Sequence, residues 1–254
     1  MTPEQKANFQ RMLRPRHVAF IGGTDAIIAI GEARRRGYEG SYWPVNPKRE
    51  SLAGISCFSS VRDLPEAPDA VFLAIPALQA IQTIKELSKI GAGGIVCYAA
   101  GFKEAGKYGA YLEKELINAA GDMAMIGPNC YGIINYLDNM ALWPFAHGGY
   151  CPGYGAAIIT QSGMFSSDIS MSQRSLPLTF MVSAGNQAVM GLEDFIDIFS
   201  ADNDTRAIGV HIEGLYDIQK FEEQIRAGPI EINLIGTEGR PNMAFPCPRL
   251  VWGQ

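Results

Sequence analysis

Residues able to hold a phosphate come early in the chain, where the apolar run Val18 to Ile21 ends in Gly22-Gly23-Thr24-Asp25 and a second run ends in Pro44-Val45-Asn46-Pro47-Lys48-Arg49. A glycine turn between a strand and a helix leaves backbone N–H groups free at the positive end of the helix, where an anion is held without a charged side chain. Lys48, at the next strand end, adds a point charge suited to a further phosphate. Glycine after a strand is also ordinary turn chemistry, so the turn alone leaves ligand and structure both open. A dinucleotide of the NAD type calls for G-x-G-x-x-G and an acidic residue about 20 positions on. Here the glycine after Gly23 is Gly31, and the second strand ends in Asn46, Lys48 and Arg49. An NADP-linked oxidoreductase keeps only the two cations in its favour.

Metal and disulfide chemistry find no support. The five cysteines (Cys57, Cys97, Cys130, Cys151, Cys247) are odd in number and lack a C-x-x-C pair, which fits reduced thiols in the cytoplasm. Cys130, at the start of a turn, is either open to thiol reagents until a ligand covers it or a buried small hydrophobe. Of three histidines, His17 opens the first strand, His211 lies in an apolar strand and is expected to pack, and His147, between Phe145-Ala146 and Gly148-Gly149, has room to move. A net charge of −5 with no basic block gives no footprint for nucleic acid. No run of 18 apolar residues exists and Met1 to Arg16 is polar, which argues against a membrane span and a signal peptide.

The turns need elements that bring strand ends together. A lead helix over Pro3 to Leu13, with Thr2 as N-cap, precedes strands at Val18 to Ile21, Ser41 to Val45, Ala70 to Ile75, Gly94 to Tyr98 and Ala124 to Ile126. Helices fall near Ile27 to Arg36, Leu78 to Ile90 and Tyr108 to Ala120. The strands are short continuous apolar runs, as a sheet covered on both faces requires. Their alternation with helices predicts an α/β fold, a doubly wound parallel sheet of Rossmann-like type over residues 1–149. All the turns after these strands then share one edge, where ligands bind in such sheets. The Gly- and Pro-rich run Trp143 to Gly155 reads as an interdomain connection.

Alternation resumes with strands at Ala156 to Thr160, Leu178 to Val182 and Ala207 to Ile212, and helices at Phe165 to Gln173, Leu192 to Phe199 and Ile218 to Arg226. This predicts a smaller flavodoxin-like α/β domain over 150–254. From about Gly228 the tail, with Gly236-Thr237-Glu238-Gly239-Arg240-Pro241 and Phe245-Pro246-Cys247-Pro248, is too rich in breakers for the next strand and helix, so that domain is expected to be incomplete.

From about Arg16 to about Glu223 the chain resembles the CoA-binding half of the NDP-forming acyl-CoA synthetases, a family that includes the succinyl-CoA ligase alpha subunit. The resemblance rests on Pro44-Val45-Asn46-Pro47-Lys48, Ala100-Gly101-Phe102-Lys103-Glu104-Ala105-Gly106, Gly127-Pro128-Asn129-Cys130-Tyr131-Gly132, Thr160-Gln161-Ser162-Gly163, Ser183-Ala184-Gly185-Asn186 and Ile212-Glu213-Gly214, in order. It implies a first domain that binds coenzyme A, with Gly23, Thr24 and Lys48 at the nucleotide phosphates and Pro76, Phe102, Lys103 and Asn129 around the adenine and pantetheine. It also implies that Gln161, Ser162 and Gly163 cradle the phosphate of a phosphohistidine and that Glu213 hydrogen-bonds that histidine in catalysis. The residues alone leave open an Asx turn at Asn129, a helix cap at Ser162 and a solvated carboxylate at Glu213.

In that family a carboxylic acid and CoA are joined through an acyl phosphate, the phosphoryl group coming from ATP or GTP with Mg²⁺ at an ATP-grasp domain or beta-type subunit. No ATP-grasp region occurs here, no histidine follows His211, and the segment from Gly23 to Gly37 is shorter than in the family. The chain is therefore expected to be the CoA-binding portion of an acid-thiol ligase, inactive alone. The alternative is a non-catalytic CoA-binding or regulatory module that has lost the phosphohistidine loop. A homo-oligomer is compatible with either.

Overall fold

The computed structural model describes residues 1–172, 175–215, 218–227 and 231–236. The chain opens with α1 (Pro3–Leu13), whose start is fixed by a capping box: the Gln5 N–H donates to Thr2 Oγ1 (3.1 Å) and the Thr2 N–H to Gln5 Oε1 (2.9 Å). Phe9, Met12 and Leu13 form its buried stripe.

The first sheet is built from β1 (His17–Gly22), α2 (Thr24–Arg36), β2 (Ser41–Val45), the small hairpin β3 (Ser51–Leu52) and β4 (Ile55–Ser56), β5 (Ala70–Ala74), α3 (Ala77–Lys89), β6 (Gly94–Cys97), α4 (Lys107–Ala120) and β7 (Ala124–Ile126). Its order is β2-β1-β5-β6-β7, every neighbouring pair parallel. All residues of β1, β6 and β7 are buried, which explains their continuous apolar character.

The second sheet comprises β8 (Gly132–Asn135), β9 (Met140–Leu142), β10 (Gly155–Thr160), then α5 (Gly163–Ser170), β11 (Leu178–Ser183), α6 (Leu192–Ser200), β12 (Thr205–Ile212), α7 (Ile218–Ala227) and β13 (Glu231–Gly236). Its order is β13-β12-β10-β11-β8-β9, parallel except that β8 runs antiparallel to both β11 and β9.

Three sequence expectations change here. The sheets part between β7 and β8, upstream of the Trp143 to Gly155 run, because the hairpin over 132–142 pairs with β11 rather than with the first sheet. Asn135 shapes that hairpin by accepting the Leu137 and Asp138 N–H groups (3.0 and 3.1 Å) on its side chain. The strand not expected in the tail is present: β13 pairs with β12 from Ala207↔Glu231 to Ile212↔Gly236, since the cluster of breakers begins only at Gly236. Helix α5 ends at Ser170. Gln173, Gly228, Cys247 and the run 237–254 lie outside the described residues. Among the described residues no helix is long and apolar enough to cross a membrane.

β1 in the first sheet and β10 in the second are each flanked by strands whose connections leave on opposite faces. These switch points lie between β1 and β5 and between β10 and β12.

Candidate functional site

At the end of β1, Gly22 has φ +149°, and a Cβ there would lie 2.6 Å from the carbonyl oxygen of Ala74 at the end of β5. Only glycine lets the two strand ends approach so closely. Gly23 caps α2 with no side chain, leaving open space above its backbone, and Thr24, the first helical residue, is exposed. Asn46 ties the next turn to this one: its Nδ2 donates to the Gly22 carbonyl (2.7 Å) and its Oδ1 accepts the N–H groups of Lys48 (2.8 Å) and Arg49 (3.1 Å). Lys48 is exposed, and among the described residues its ammonium forms no ion pair.

The two switch points open on one cavity of about 640 Å³. From the first sheet come Asp25, Pro76, Tyr98, Asn129, Cys130 and Tyr131; from the second, Gln161, Ser162, Gly163, Met164 and Glu213. Gly23, Thr24 and Lys48 stand outside this lining. Among the described residues no basic side chain lines it, while Asp25 and Glu213 supply two carboxylates. An anion inside would therefore rely on the amide ends of α2 and α5 rather than on a cation.

The second-sheet wall is held by its own hydrogen bonds. Thr160 Oγ1 accepts the Ser162 N–H (2.9 Å), and Ser162 Oγ caps α5 by accepting the Phe165 N–H (3.4 Å). The Gln161 carboxamide clamps the end of β12, accepting the N–H groups of Glu213 (2.6 Å) and Gly214 (2.8 Å) and donating to the Gly214 carbonyl (2.6 Å). Glu213 is thus positioned through its backbone, and its exposed carboxylate has no hydrogen bond among the described residues.

His211 is buried beneath this wall, its Nδ1 3.2 Å from Thr160 Oγ1 and its ring stacked on Phe165 at 4.6 Å. Burial pushes its pKa down, opposed by the charge of Glu213. His147 does not move freely as its glycine neighbours suggest. It is buried, its Nε2 lies 3.6 Å from Glu32 Oε2, and burial with the Arg35 charge lowers its pKa to about 4.

Pro76 and Asn129 reach the cavity, but Phe102 and Lys103 turn away. Glu104 Oε1 accepts the N–H groups of Gly101 (2.6 Å) and Phe102 (3.1 Å), and the turn this makes sends the Phe102 ring, fully buried, into the core with Leu112 and Leu116. Lys103 Nζ donates to the Asn186 carbonyl (2.6 Å) and lies 3.8 Å from Glu113 Oε1; burial lowers its pKa against the pull of Glu113 and Glu104. Cys130 is buried, with its Sγ donating to the Cys97 carbonyl (3.4 Å), and burial raises its pKa well above the usual value, so the buried alternative holds there. Asn129 adopts φ +57° and donates its N–H to the Ala99 carbonyl (2.9 Å).

Two features escape sequence reasoning. The first is the seam between the sheets, where the loop after β11 lies on the loop after β7: the Asn186 N–H donates to Pro128 O (2.8 Å) and the Ala188 N–H to Gly127 O (2.9 Å). A Cβ on Gly185 (φ +59°) would lie 2.4 Å from the carbonyl oxygens of Pro128 and Asn129. Asn186 Nδ2 then donates to Glu104 Oε2 (2.5 Å) and Glu113 Oε2 (2.8 Å), and its Oδ1 accepts from Asn129 Nδ2 (3.4 Å). The only signal was the Ser183-Ala184-Gly185-Asn186 motif itself. The second feature is the pair of tyrosines, Tyr98 and Tyr131, in the cavity wall.

Among the described residues no group of three or more His, Cys, Asp or Glu side chains could hold a metal ion. A family model described as a CoA binding domain matches residues 25–136, and one described as a succinyl-CoA ligase like flavodoxin domain matches 153–230. Trans-feruloyl-CoA synthase from an unknown prokaryotic organism is 36% identical over 217 residues, covering 81% of this chain and 31% of its own length. The alpha subunit of ADP-forming acetate–CoA ligase II of Pyrococcus furiosus is 30% identical over 225 residues, covering 82% of this chain and 47% of its own. The solved apo form of the dinucleotide-forming acetyl-coenzyme A synthetase 1 of Ca. Korarchaeum cryptofilum shares the fold with TM-score 0.81 at 24% identity, over 90% of this chain and 52% of that one. The chain thus spans about a third to a half of the length of the curated relatives it matches. A CoA-binding sheet followed by a succinyl-CoA ligase-like flavodoxin sheet, with relatives of this kind along both, places the chain with the CoA-binding half of the NDP-forming acyl-CoA synthetases.

Proposed function

We propose that the chain is the CoA-binding portion of an acid-thiol ligase that makes acyl-CoA through an acyl phosphate. The observation that carries this reading is the single cavity shared by the two switch points, with Asp25 at the start of α2 on one wall and the start of α5 beside Glu213 on the other; the glycine turn before Asp25 is tied to the Lys48 turn through Asn46. CoA lies with its phosphorylated adenosine toward Gly23, Thr24 and Lys48 and its thiol reaching past Pro76 and Asn129. The N–H groups of Ser162 and Gly163 hold the phosphoryl end of the acyl phosphate, and the thiol attacks the acyl carbon: a C–S bond forms, the C–O bond to phosphate breaks, and inorganic phosphate leaves. Glu213, oriented through Gln161, accepts a hydrogen bond from the imidazole that carries the phosphoryl group.

That imidazole is not His211, which is packed under Phe165. An ATP-grasp domain or beta-type subunit supplies the nucleotide site, where ATP or GTP acts with Mg²⁺. The free thiols at Cys57, Cys97, Cys130 and Cys151 suit the cytoplasm, where such a partner works.

Calorimetric titration of the chain with CoA, ATP and NADP tests this. CoA binding with neither of the others supports it; NADP binding without CoA overturns it. The packing of His211 under Phe165 also fits a second reading, a CoA-binding regulatory module without chemistry. Phosphohistidine formed from labelled ATP or GTP when a candidate partner chain is added would exclude that alternative.

A further inference from the structure

We propose that the acyl group this site takes is aromatic, an aryl carboxylic acid held against the rings of Tyr131, Tyr98 and Phe145; the proposal rests on the acyl-CoA reading above. Tyr131 and Tyr98 line the cavity, and Phe145 joins them, its ring centroid 4.6 Å from that of Tyr131 and 6.4 Å from that of Tyr98, both edge-to-face. Fully buried Trp143 meets the other side of Tyr131 edge-on at 5.8 Å, and the Tyr131 N–H donates to Ser183 Oγ (3.1 Å). Tyr131 is therefore wedged in one orientation before any ligand arrives, and a preset ring needs no ordering on binding.

Its position relative to the chemistry is set by Gly163. A Cβ on that first residue of α5 would lie 2.8 Å from the Tyr131 ring, so only glycine lets the ring rest on the helix end. A carboxyl or acyl phosphate group at that helix end has its substituent against Tyr131. Aromatic pairs prefer the offset and edge-to-face arrangements that a ring beside Tyr131 and Phe145 can adopt, and a methyl group offers no such contact. Met164, 77% exposed, and Phe145, 37% exposed, leave apolar surface uncovered at the same mouth, and a thioether suits an aromatic neighbour.

Charge narrows the class further. With Asp25 and Glu213 in the wall, no basic side chain among the described residues lining it, and Lys103 drawn to Asn186 and Glu113, a second carboxylate on the substrate meets like charge and no cation of the described lining. Neither the Tyr98 nor the Tyr131 hydroxyl has a hydrogen-bond partner among the described residues, so each is available to an oxygen substituent on the ring. The site fits a neutral aromatic acyl group better than a short aliphatic or dicarboxylic one.

Calorimetry on the whole chain with CoA, acetyl-CoA, succinyl-CoA and benzoyl-CoA tests the assignment. The expected result is benzoyl-CoA binding roughly tenfold tighter than acetyl-CoA, with succinyl-CoA the weakest thioester. Tyr131→Leu is expected to bring the benzoyl-to-acetyl ratio close to one; Phe145→Leu serves the same purpose should the first variant lose its native circular dichroism. Wild-type CoA binding with no preference for benzoyl-CoA overturns the proposal while leaving the CoA reading in place. An equal loss for every ligand in Tyr131→Leu with the ratio intact also overturns it, and assigns the rings to the adenine. Failure of CoA and all its thioesters to bind removes the acyl-CoA reading and this inference together.

Discussion

Replacing Asn186 by leucine removes, with little change of volume, the carboxamide that holds two carboxylates at the seam between the sheets. Its Nδ2 serves both Glu104 (2.5 Å) and Glu113 (2.8 Å). Hydrogen bonds to charged groups are worth roughly 1.5–3 kcal/mol each; Glu113 keeps Lys103 Nζ at 3.8 Å in the variant and is not left unpaired. Glu113 is buried and carries the full value, whereas Glu104 is exposed and its share falls toward the low range of surface pairs. The sum is about 2–4 kcal/mol of lost stability at pH 7.

The pH dependence has a definite sign. Burial raises the Glu104 pKa, but the Asn186 amide and the N–H groups of Gly101 and Phe102 outweigh it, so the folded value lies below the usual one. A depressed carboxylate contributes stability that is whole above the unfolded value of about 4.3 and is lost as pH falls through the folded value. Leucine at 186 deletes one of the lowering bonds, so the difference between variant and wild type is largest at neutrality, holds down to about pH 4.3 and shrinks below it. Urea denaturation of both proteins at pH 7 and at about pH 3 measures it. A difference under about 1 kcal/mol at pH 7, or one that grows on acidification, refutes the reasoning. Asn186→Asp places a third carboxylate in the cluster and must be worse than leucine at pH 7, recovering more on acidification.

Lys48→Ala should weaken CoA by about 1–3 kcal/mol and dephospho-CoA by less; equal loss in calorimetry would show that Lys48 does not read the 3′-phosphate. With its pKa lowered from 6.5 to about 4 by burial first and the Arg35 charge second, His147 contributes stability above pH 6.5 that is lost as pH falls toward 4, about 3 kcal/mol in all. His147→Gln should flatten the fall in melting temperature between pH 7 and pH 5, and an unchanged slope counts against the assignment. Burial pushes the Cys97 thiol up to about 12 and that of Cys130 higher than usual, so peptide mapping after alkylation of native protein should find Cys57 and Cys151 modified first. Early labelling of Cys130 would mean that its loop opens in solution.

The strands of the first sheet were legible because β1, β6 and β7 are buried on both faces and so read as unbroken apolar runs. The β8–β9 hairpin was not, since its strands are four and three residues long and its pairing with β11 is a long-range choice that no local pattern encodes. Strand ends told where site residues would cluster but not which way they point. Phe102 and Lys103 follow β6 as a cavity-lining pair should, yet the Glu104 side chain bonds the turn's own N–H groups and rotates them into the core and the seam. Tyr98 and Tyr131 sat inside or beside quoted motifs and were passed over, because a tyrosine at a strand end carries no mark of whether it packs or faces a ligand.

The cavity is shaped by two contacts far apart in sequence that join the sheets independently. At one, α1 lies across α6, with Phe9 5.8 Å from Phe195 and 6.4 Å from Phe199, and Lys6 pairs with Asp197 (2.7 Å). At the other, Gly185 and Asn186 lie against 127–129 and the two glutamates. The exposed Lys6–Asp197 pair adds little, whereas the aromatic packing and the buried Asn186–Glu113 bond resist opening. Ligand affinity is therefore expected to depend on residues that touch no ligand: if Asn186→Leu parts the seam, Asn129, bonded to Asn186 and facing the cavity, loses its support. Of the reaction proposed here, the chain's own share is positioning, an arranged pair of helix ends and an oriented Glu213 carboxylate, and positioning is the share that a loosened seam would remove first.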